Sequence, residues 1–434
     1  MKGPACLCPS FRQRVPAGAL ALVLVISIVI SAILLGLVAF YAISHRQLQA
    51  QNRQLLVQRN ARSGLAYLLA SPDLSYFQPL DIDLFGAGTD SVRIGRRPWG
   101  MFDIATVIAH QGLVRDTLTA LLGSRFSSFS QGALYLPNSE PYSLGLAGTS
   151  QLIGAAYLPT QGSRAVYLPG HQSNTPSPLV TGTTHVSNPQ LPLDADSALT
   201  GLRDFVTLSL GSWLPGTTVM VRRLPAGNNP FGKSPLVWQQ QKSGPLGTLR
   251  VSGQVILTSL YPIVLDSLSQ LDGVMVIAPK ITVAKGFRGR AQLFARDTID
   301  VQARAQLAYP SALGVYSTGG TPAILLGEQT FVAGVIVAGA PAANTTASPL
   351  IRMHATAQVQ GQVYTTGTLL NCGQVEGAVM CQHIAYQFSP RDTRYDNYLV
   401  DAVIDRNRLS KAFLTSPWLN PGAPREVLQW LPSH

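Results

Sequence analysis

The sequence predicts a mainly β protein in which an N-terminal transmembrane helix and a helical stalk precede a β-solenoid, a parallel β-helix-like body. Two observations predict this architecture. Residues 15–44 contain no charged side chain. Residues 248–390 repeat an apolar-x-Gly-x-apolar unit among runs in which apolar and polar residues alternate, which places one set of side chains inside and the other outside.

The apolar segment is long enough to cross a membrane. Residues 19–43 would form a helix roughly 37 Å long, because each helical residue adds about 1.5 Å, and a bilayer core of about 30 Å needs about 20 apolar residues. A cleaved signal peptide has a shorter apolar region, of about 7–15 residues, and this segment continues into the interfacial aromatic pair Phe40 and Tyr41. These features favour a retained, single-pass signal anchor over a signal peptide or a buried core helix.

The charges beside the anchor bear on its orientation. Three basic residues precede it and four follow it, with no acidic residue before Asp73, so the positive-inside rule is nearly balanced. The short leading tail, residues 1–14, and the body rich in Ser, Thr and Gly favour a cytoplasmic tail. We therefore expect a bacterial inner-membrane protein whose body lies in the periplasm or outside the cell.

The net charge of +11 is concentrated near the anchor. Residues 1–72 hold seven Lys and Arg and no Asp or Glu, whereas the rest of the chain is nearly balanced. Anionic lipid head groups attract such a segment, so membrane lipid is an expected partner. The sequence shows no basic face with interleaved aromatic residues, and we expect no nucleic-acid partner.

Proline, glycine and repeat positions divide the remaining chain. A Gln- and Arg-rich stalk helix over residues 45–72 ends at Pro72, since proline cannot continue a helix. Residues 73–247 are predicted to form a β-rich region with short repeats, among them GALYLP, GAAYLP and RAVYLP. Residues 248–390 form the predicted solenoid and residues 391–434 its predicted C-terminal cap, because a solenoid must cover its last apolar coil and open strand edge.

The repeated unit places a glycine between two inward-facing apolar residues. A glycine in this position suits a corner or a close backbone approach between neighbouring coils. The predicted corner glycines are Gly253, Gly289, Gly334, Gly361 and Gly377.

Two cysteines of the body, Cys372 and Cys381, are nine residues apart in the sequence. In an oxidising envelope compartment they could form a disulfide bond. Two buried free thiols are the alternative, and the sequence leaves both open.

The sequence contains no catalytic signature. It has no H-E-x-x-H metal motif, no G-x-S-x-G nucleophile elbow, no P-loop and no dinucleotide-binding fingerprint. Acidic residues are sparse within residues 248–388, where a sugar-cleaving β-helix would need a pair of carboxylates. We therefore expect a protein that is not an enzyme and has no cofactor and no metal ligands.

The N-terminal segment and the body each resemble known families. Residues 12–70 run from a basic tail through an apolar helix into a Gln- and Arg-rich stalk, and they resemble PilX-type minor pilin-like proteins, although type IV pilins carry a Glu where this chain has Val23. The glycine-repeat region resembles bactofilin-like and other bacterial β-helix domains. Phrases such as LYLP, QLIGAAYLP, RAVYL and QVQGQVYTTG are similar to those of membrane-anchored envelope proteins of Bacteroidetes-type bacteria.

Together these features favour a structural or assembly protein of the bacterial envelope. The resemblance to pilin-like proteins implies a pilus-like or secretion apparatus, with pilin-like or secretion-system subunits, other envelope proteins or further copies of the chain as partners. A carbohydrate-binding or carbohydrate-active β-helix is one alternative, and it requires Tyr309, Tyr316, Tyr364 and Tyr386 to line one outer face. A membrane-tethered, bactofilin-like polymer is another, and it requires the opposite topology.

Overall fold

The structure is mainly β and begins with a long apolar helix, as the sequence predicted. The computed structural model describes residues 17–71, 74–84, 86, 90–127, 130–139, 142–171, 177–192, 195–207, 219–221, 226–241, 243–244, 246–341, 346–389 and 391–432. The elements of these residues, in chain order, are α1 (Ala17–Ala70), β1 (Leu80–Ile82), β2 (Asp90–Trp99), β3 (Phe102–Gln111), β4 (Val114–Ser124), β5 (Leu134–Tyr135), β6 (Leu144–Ala147), β7 (Gln151–Ile153), β8 (Ala156–Leu158), β9 (Ser163–Ala165), β10 (Val180–Thr181), β11 (Thr184–Val186), α2 (Ala195–Val206), β12 (Val219–Val221), β13 (Gly227–Asn229), β14 (Leu236–Gln240), β15 (Arg250–Gly253), β16 (Val255–Ser259), β17 (Ile263–Leu265), β18 (Gln270–Val283), β19 (Arg288–Val301), β20 (Gln306–Tyr316), β21 (Ala323–Leu326), β22 (Phe331–Gly339), β23 (Leu350–Met353), β24 (Gln358–Leu370), β25 (Gln374–Tyr386), β26 (Tyr395–Asp396), β27 (Tyr398–Val400), β28 (Val403–Asp405) and β29 (Arg425–Leu431).

The helix α1 joins the apolar segment to the stalk without a break over 54 residues. Its last turns pack on an antiparallel sheet with the strand order β1-β2-β3-β4-β29. The helix buries positions three and four residues apart, a spacing that defines one helical face. The helix side of this core consists of Val57, Ala61, Leu65 and Leu68, and the sheet side includes Val92, Ile94, Ala105, Val107 and Leu122.

Most of the remaining strands are parallel and form what we call the parallel β-body, which comprises the described residues between 134 and 405. Phe331 pairs with Gln358, and Gln358 pairs in turn with Gln374. Parallel neighbours cannot be joined by a tight hairpin, so the chain returns before it adds each new strand. One inward column, in which each residue pairs with the next, is Leu257, Val276, Leu293, Leu313, Ile336, Val363 and Val379.

The strand order of the parallel β-body differs from the chain order. β25 pairs with β5 and with β28, and β28 pairs with β7. Residues 134–186 therefore lie beyond β25, although they precede β12 in the chain. The helix α2 follows them and packs across the body, where Leu202 and Phe205 lie in one apolar cluster with Phe294.

The residues expected to form a C-terminal cap are divided between the parallel β-body and the antiparallel sheet. β28 sits inside the stack, between β25 and β7, and β29 pairs with β4 in the antiparallel sheet. The end of the body beyond β25 is formed by strands from residues 134–186. Long-range strand pairing decides this arrangement, and such pairing leaves no local pattern in the sequence.

The parallel β-body is inserted between two neighbouring strands of the antiparallel sheet. Leu122 of β4 pairs with Val427 of β29, so residues 125–424 leave the sheet and return to it. At this junction, Trp99 and Phe102 of the sheet share an apolar cluster with Met275 and Phe294 of the body. The antiparallel sheet therefore contacts α1 with one face, and it contacts the parallel β-body near the β2–β3 turn.

Candidate functional site

The two parts of α1 have different surroundings. Its apolar part is almost entirely exposed, including Leu35 at 75% and Val38 at 68%. From Val57 onward one face is buried against the sheet. By length and composition, Gly18–Ala70 is apolar enough to cross a membrane, with a mean hydropathy of 3.1 in a window of which no part is buried.

The exposed surface of the stalk combines leucines with positive charge. Leu48 and Leu55 are 57% and 63% exposed. Four exposed arginines lie on the same segment and no acidic residue accompanies them: Arg46, Arg53, Arg59 and Arg62. This surface is apolar and cationic, and none of its side chains belongs to the core that α1 forms with the sheet.

A glycine sets the distance between α1 and the sheet. A β carbon at Gly64 would lie 2.5 Å from Cγ1 of Val92 and 3.0 Å from Cγ1 of Val107. The helix therefore approaches the sheet more closely than any larger residue would allow. The stalk pattern did not predict this contact, although a single glycine in an otherwise regular helical pattern can indicate a close packing contact.

A buried ionic cluster ties the end of the stalk to the sheet. Asp103 is fully buried, and its Oδ2 lies 3.4 Å from Nε of Arg425 and 4.0 Å from Nε of Arg96. The hydroxyl of Tyr76, just beyond α1, donates to Oδ1 of Asp103 at 3.1 Å. Burial raises the pKa of Asp103 to about 6, and the two arginines oppose this shift.

Gln292 fastens the antiparallel sheet to the parallel β-body. Its Nε2 donates to the carbonyl of Trp99 at 2.9 Å, and its Oε1 accepts from the N–H of Met101 at 2.8 Å. Trp99 also donates from Nε1 to the carbonyl of Gly273 at 3.3 Å. Gln292 is buried, and both the oxygen and the nitrogen of its side-chain amide form hydrogen bonds with the backbone of the β2–β3 turn.

Three of the five predicted corner glycines lie side by side. Gly334 pairs with Gly361, and Gly361 pairs with Gly377 in the next strand. Gly253 faces the carbonyl of Asn229 instead, and Gly289 faces the ring of Phe287, 2.7 Å from its would-be β carbon. The five positions therefore meet different neighbours, and three of them form one column.

The structure describes Cys372 and Cys381 as buried free thiols. Both side chains belong to the inner apolar core of the parallel β-body. Burial raises the pKa of Cys372 to about 12, and burial together with the nearby Cys372 raises that of Cys381.

The four tyrosines on which the carbohydrate alternative depends do not line one outer face. Tyr316 and Tyr364 are buried. The hydroxyl of Tyr309 donates to the carbonyl of Leu414 at 2.8 Å. The hydroxyl of Tyr386 lies 3.0 Å from Nε2 of His171. Among the residues that the structure describes, no group of three or more His, Cys, Asp or Glu side chains is placed to hold a metal ion.

Comparisons with known proteins add little. No protein-family model matches the chain, and no curated protein matches it significantly. The chain is similar to the crystal structure of the competence-associated pilin ComZ from Thermus thermophilus, with 11% identity, a TM-score of 0.18, and coverage of 88% of this chain and 97% of that one. A TM-score this low supports no inference about shared geometry, and the resemblances to PilX-type, bactofilin-like and Bacteroidetes-type proteins stay predictions.

Proposed function

We propose that the chain is a non-enzymatic, membrane-anchored structural subunit of the bacterial envelope that assembles with pilin-like or secretion-system subunits. The observation that carries this proposal is the division of α1 into an exposed apolar part and a part fixed to the sheet. A helix of this kind anchors the subunit in the membrane and holds the sheet, and the parallel β-body attached to the sheet, at a fixed position relative to the anchor.

The exposed apolar part of α1 needs a partner other than water. Removing apolar surface from water contributes about 25 cal/mol for each Å², and the side chains of this part are mostly more than half exposed. A lipid bilayer covers them while the subunit resides in the inner membrane. Apolar helices of neighbouring subunits would cover the same surface in an assembly.

The stalk favours a protein partner over lipid. Arg59 lies about 24 Å along the helix from Ile43, the last apolar residue of the segment. The field of lipid head groups decays within about 8 Å at physiological ionic strength, so it does not reach Arg59. The exposed Leu48 and Leu55 on the same segment give a protein partner an apolar contact.

We also propose that the parallel β-body is a β-solenoid. The inward column from Leu257 to Val379 gives one residue to each successive strand, as expected when each coil adds one strand to a sheet. The stacked glycines support the same interpretation. A solenoid held at one junction provides a long, rigid surface for partners.

The junction directs the body away from the membrane side of the stalk. Tyr76 follows the end of α1 and contacts Asp103, and Met101, two residues before Asp103, contacts Gln292 of the body. The body is therefore attached where the stalk ends. With α1 in the inner membrane and the tail in the cytoplasm, the body would stand in the periplasm or outside.

Site-specific cross-linking in native membranes tests the assembly role. A photo-reactive amino acid at Leu55 should yield defined adducts with protein subunits that have an apolar N-terminal helix of their own. The same amino acid at Lys285, an exposed corner of the body, is the matched control for non-specific capture. Adducts at Leu55 with lipid alone, or with the same proteins as at Lys285, would refute the proposal.

A further inference from the structure

A cavity of about 590 Å³ opens where β4 leaves the antiparallel sheet. It lies between the segment after β4 and the loop that follows β28. Among the described residues, its lining includes three cationic side chains and no carboxylate: Arg125, Arg406 and Lys411 stand beside Phe126, Phe413 and Gln131. The volume is within the range of about 300–1,000 Å³ that is usual for small-molecule sites.

Arg406 is the most informative residue of this cavity. Its guanidinium carbon lies 4.2 Å from the centre of the Phe126 ring. Its Nε is buried and has no hydrogen-bond partner in the described part of the chain, and burial lowers the pKa of Arg406. A buried guanidinium N–H without an acceptor is unfavourable. A ligand that brings an anionic or hydrogen-bond-accepting group to Arg406 would therefore be stabilised there.

The neighbouring arginines do not share this property. Nε of Arg125 lies 2.6 Å from Glu426, and Nε of Arg408 lies 3.3 Å from Asp405. The backbone N–H of Arg406 donates to the carbonyl of Ile153 at 2.8 Å, which fixes the start of the loop. Arg406 is thus held in place, and the described residues give it no counter-ion, while its neighbours Arg125 and Arg408 each have one.

The rest of the lining offers an apolar face and amide groups. The rings of Phe126 and Phe413 lie 6.3 Å apart at 35° to each other. Gln131 and Asn407, two residues with side-chain amides, line the same cavity. An inorganic anion would accept hydrogen bonds from the amide NH2 groups but would leave the ring faces without a contact, whereas a sugar uses both, through its hydroxyl groups and its C–H face.

We propose that this cavity binds an acidic sugar, a hexuronic acid residue of a glycan. The sugar carboxylate would accept hydrogen bonds from Arg406 and Lys411, since charge-assisted hydrogen bonds between guanidinium and carboxylate groups are strong and directional. The ring would lie against Phe413, and its hydroxyl groups would reach Gln131 and Asn407. This site is separate from α1, and its ligand is independent of the assembly role.

Isothermal titration of the full chain in detergent with digalacturonate tests the site. We expect binding that weakens about tenfold or more in the Arg406→Gln variant, the effect of losing one charge-assisted contact. The Arg296→Gln variant, at an exposed position elsewhere on the body, should bind as the wild type does. Lys411→Gln, at an exposed position of the cavity lining, gives a second test if Arg406→Gln does not fold.

Two further ligands define the chemical class. Cellobiose, a neutral disaccharide, should show no binding, and inorganic phosphate should compete only weakly. Absence of digalacturonate binding, or equal binding by the wild type and both cavity variants, would overturn the proposal. Equal affinity for phosphate and digalacturonate would also overturn it, because the cavity would then recognise any anion.

Discussion

Gly377 lies directly against Gly361 of the adjacent parallel strand, so that a β carbon on Gly377 would overlap the carbonyl oxygen of Gly361. Gly361 stands in the same relation to Gly334. The φ angles of Gly361 and Gly377 are 141° and 151°, which residues with a side chain rarely adopt. Both the space and the backbone conformation therefore require glycine in this column.

The double substitution Gly361→Val and Gly377→Val should destabilise the parallel β-body strongly. Each strained backbone position alone costs on the order of 1–3 kcal/mol, and displacement of the neighbouring strand adds to it. Thermal unfolding monitored by circular dichroism measures the loss. Gly319→Val is the matched control, because no atom lies within 4 Å of the would-be β carbon of Gly319. This variant should have the melting temperature of the wild type. A double variant with the wild-type melting temperature would contradict the solenoid interpretation.

Replacing Gln292 with Leu should loosen the junction between sheet and body. The change leaves the N–H of Met101 and the carbonyl of Trp99 without their partner, at a cost of about 1–3 kcal/mol for each buried group. Limited proteolysis should then cut within residues 125–139 faster than in the wild type. Gln302→Leu, at an exposed position of the body, should leave the rate unchanged. Equal rates in all three proteins would show that Gln292 does not hold the junction.

Asp103 should make the folded state less stable as the pH rises from about 4 to about 6. Burial raises its pKa in the folded state to about 6, above its ordinary value of 3.8. The folded protein therefore binds more protons than the unfolded protein in this interval, and the linkage relation gives a decrease in the free energy of unfolding with rising pH.

The Asp103→Asn variant isolates this contribution. Asn does not titrate. The unfolding free energy of the wild type minus that of the variant should therefore decrease from pH 4 to pH 6 and be constant below pH 3. Urea unfolding at a series of pH values measures it. A difference that is constant above about pH 5 and decreases as the pH falls below about 4 would show that the arginines lower the pKa of Asp103 more than burial raises it.

An arginine in the middle of the apolar segment should weaken membrane anchoring. Val29 is half exposed on α1, and arginine at the centre of a membrane helix costs about 2.5–3.5 kcal/mol on insertion scales. Val29→Arg should therefore move protein from the membrane fraction to the soluble or degraded fraction. Val29→Leu should remain membrane-bound. If both variants fractionate alike, α1 is not the anchor.

The parts of this protein that the sequence predicted are those with a local cause. The uncharged stretch is helical from Ala17 onward because its residues satisfy their backbone hydrogen bonds within the segment. The alternating runs become strands for a similar reason, since alternation every second residue is a property of the strand itself. A long apolar helix followed by a mainly β body could be predicted from these patterns.

Only the tertiary structure decided which strands are neighbours. Leu122 and Val427 pair across an insertion of the entire parallel β-body, and β25 meets strands from residues 134–186 that precede it in the chain. The contact made by Gly64, the anchoring role of Gln292 and the isolated charge of Arg406 all follow from these pairings. Contacts between residues so far apart in sequence depend on the packing of the whole chain, and no spacing or composition records them.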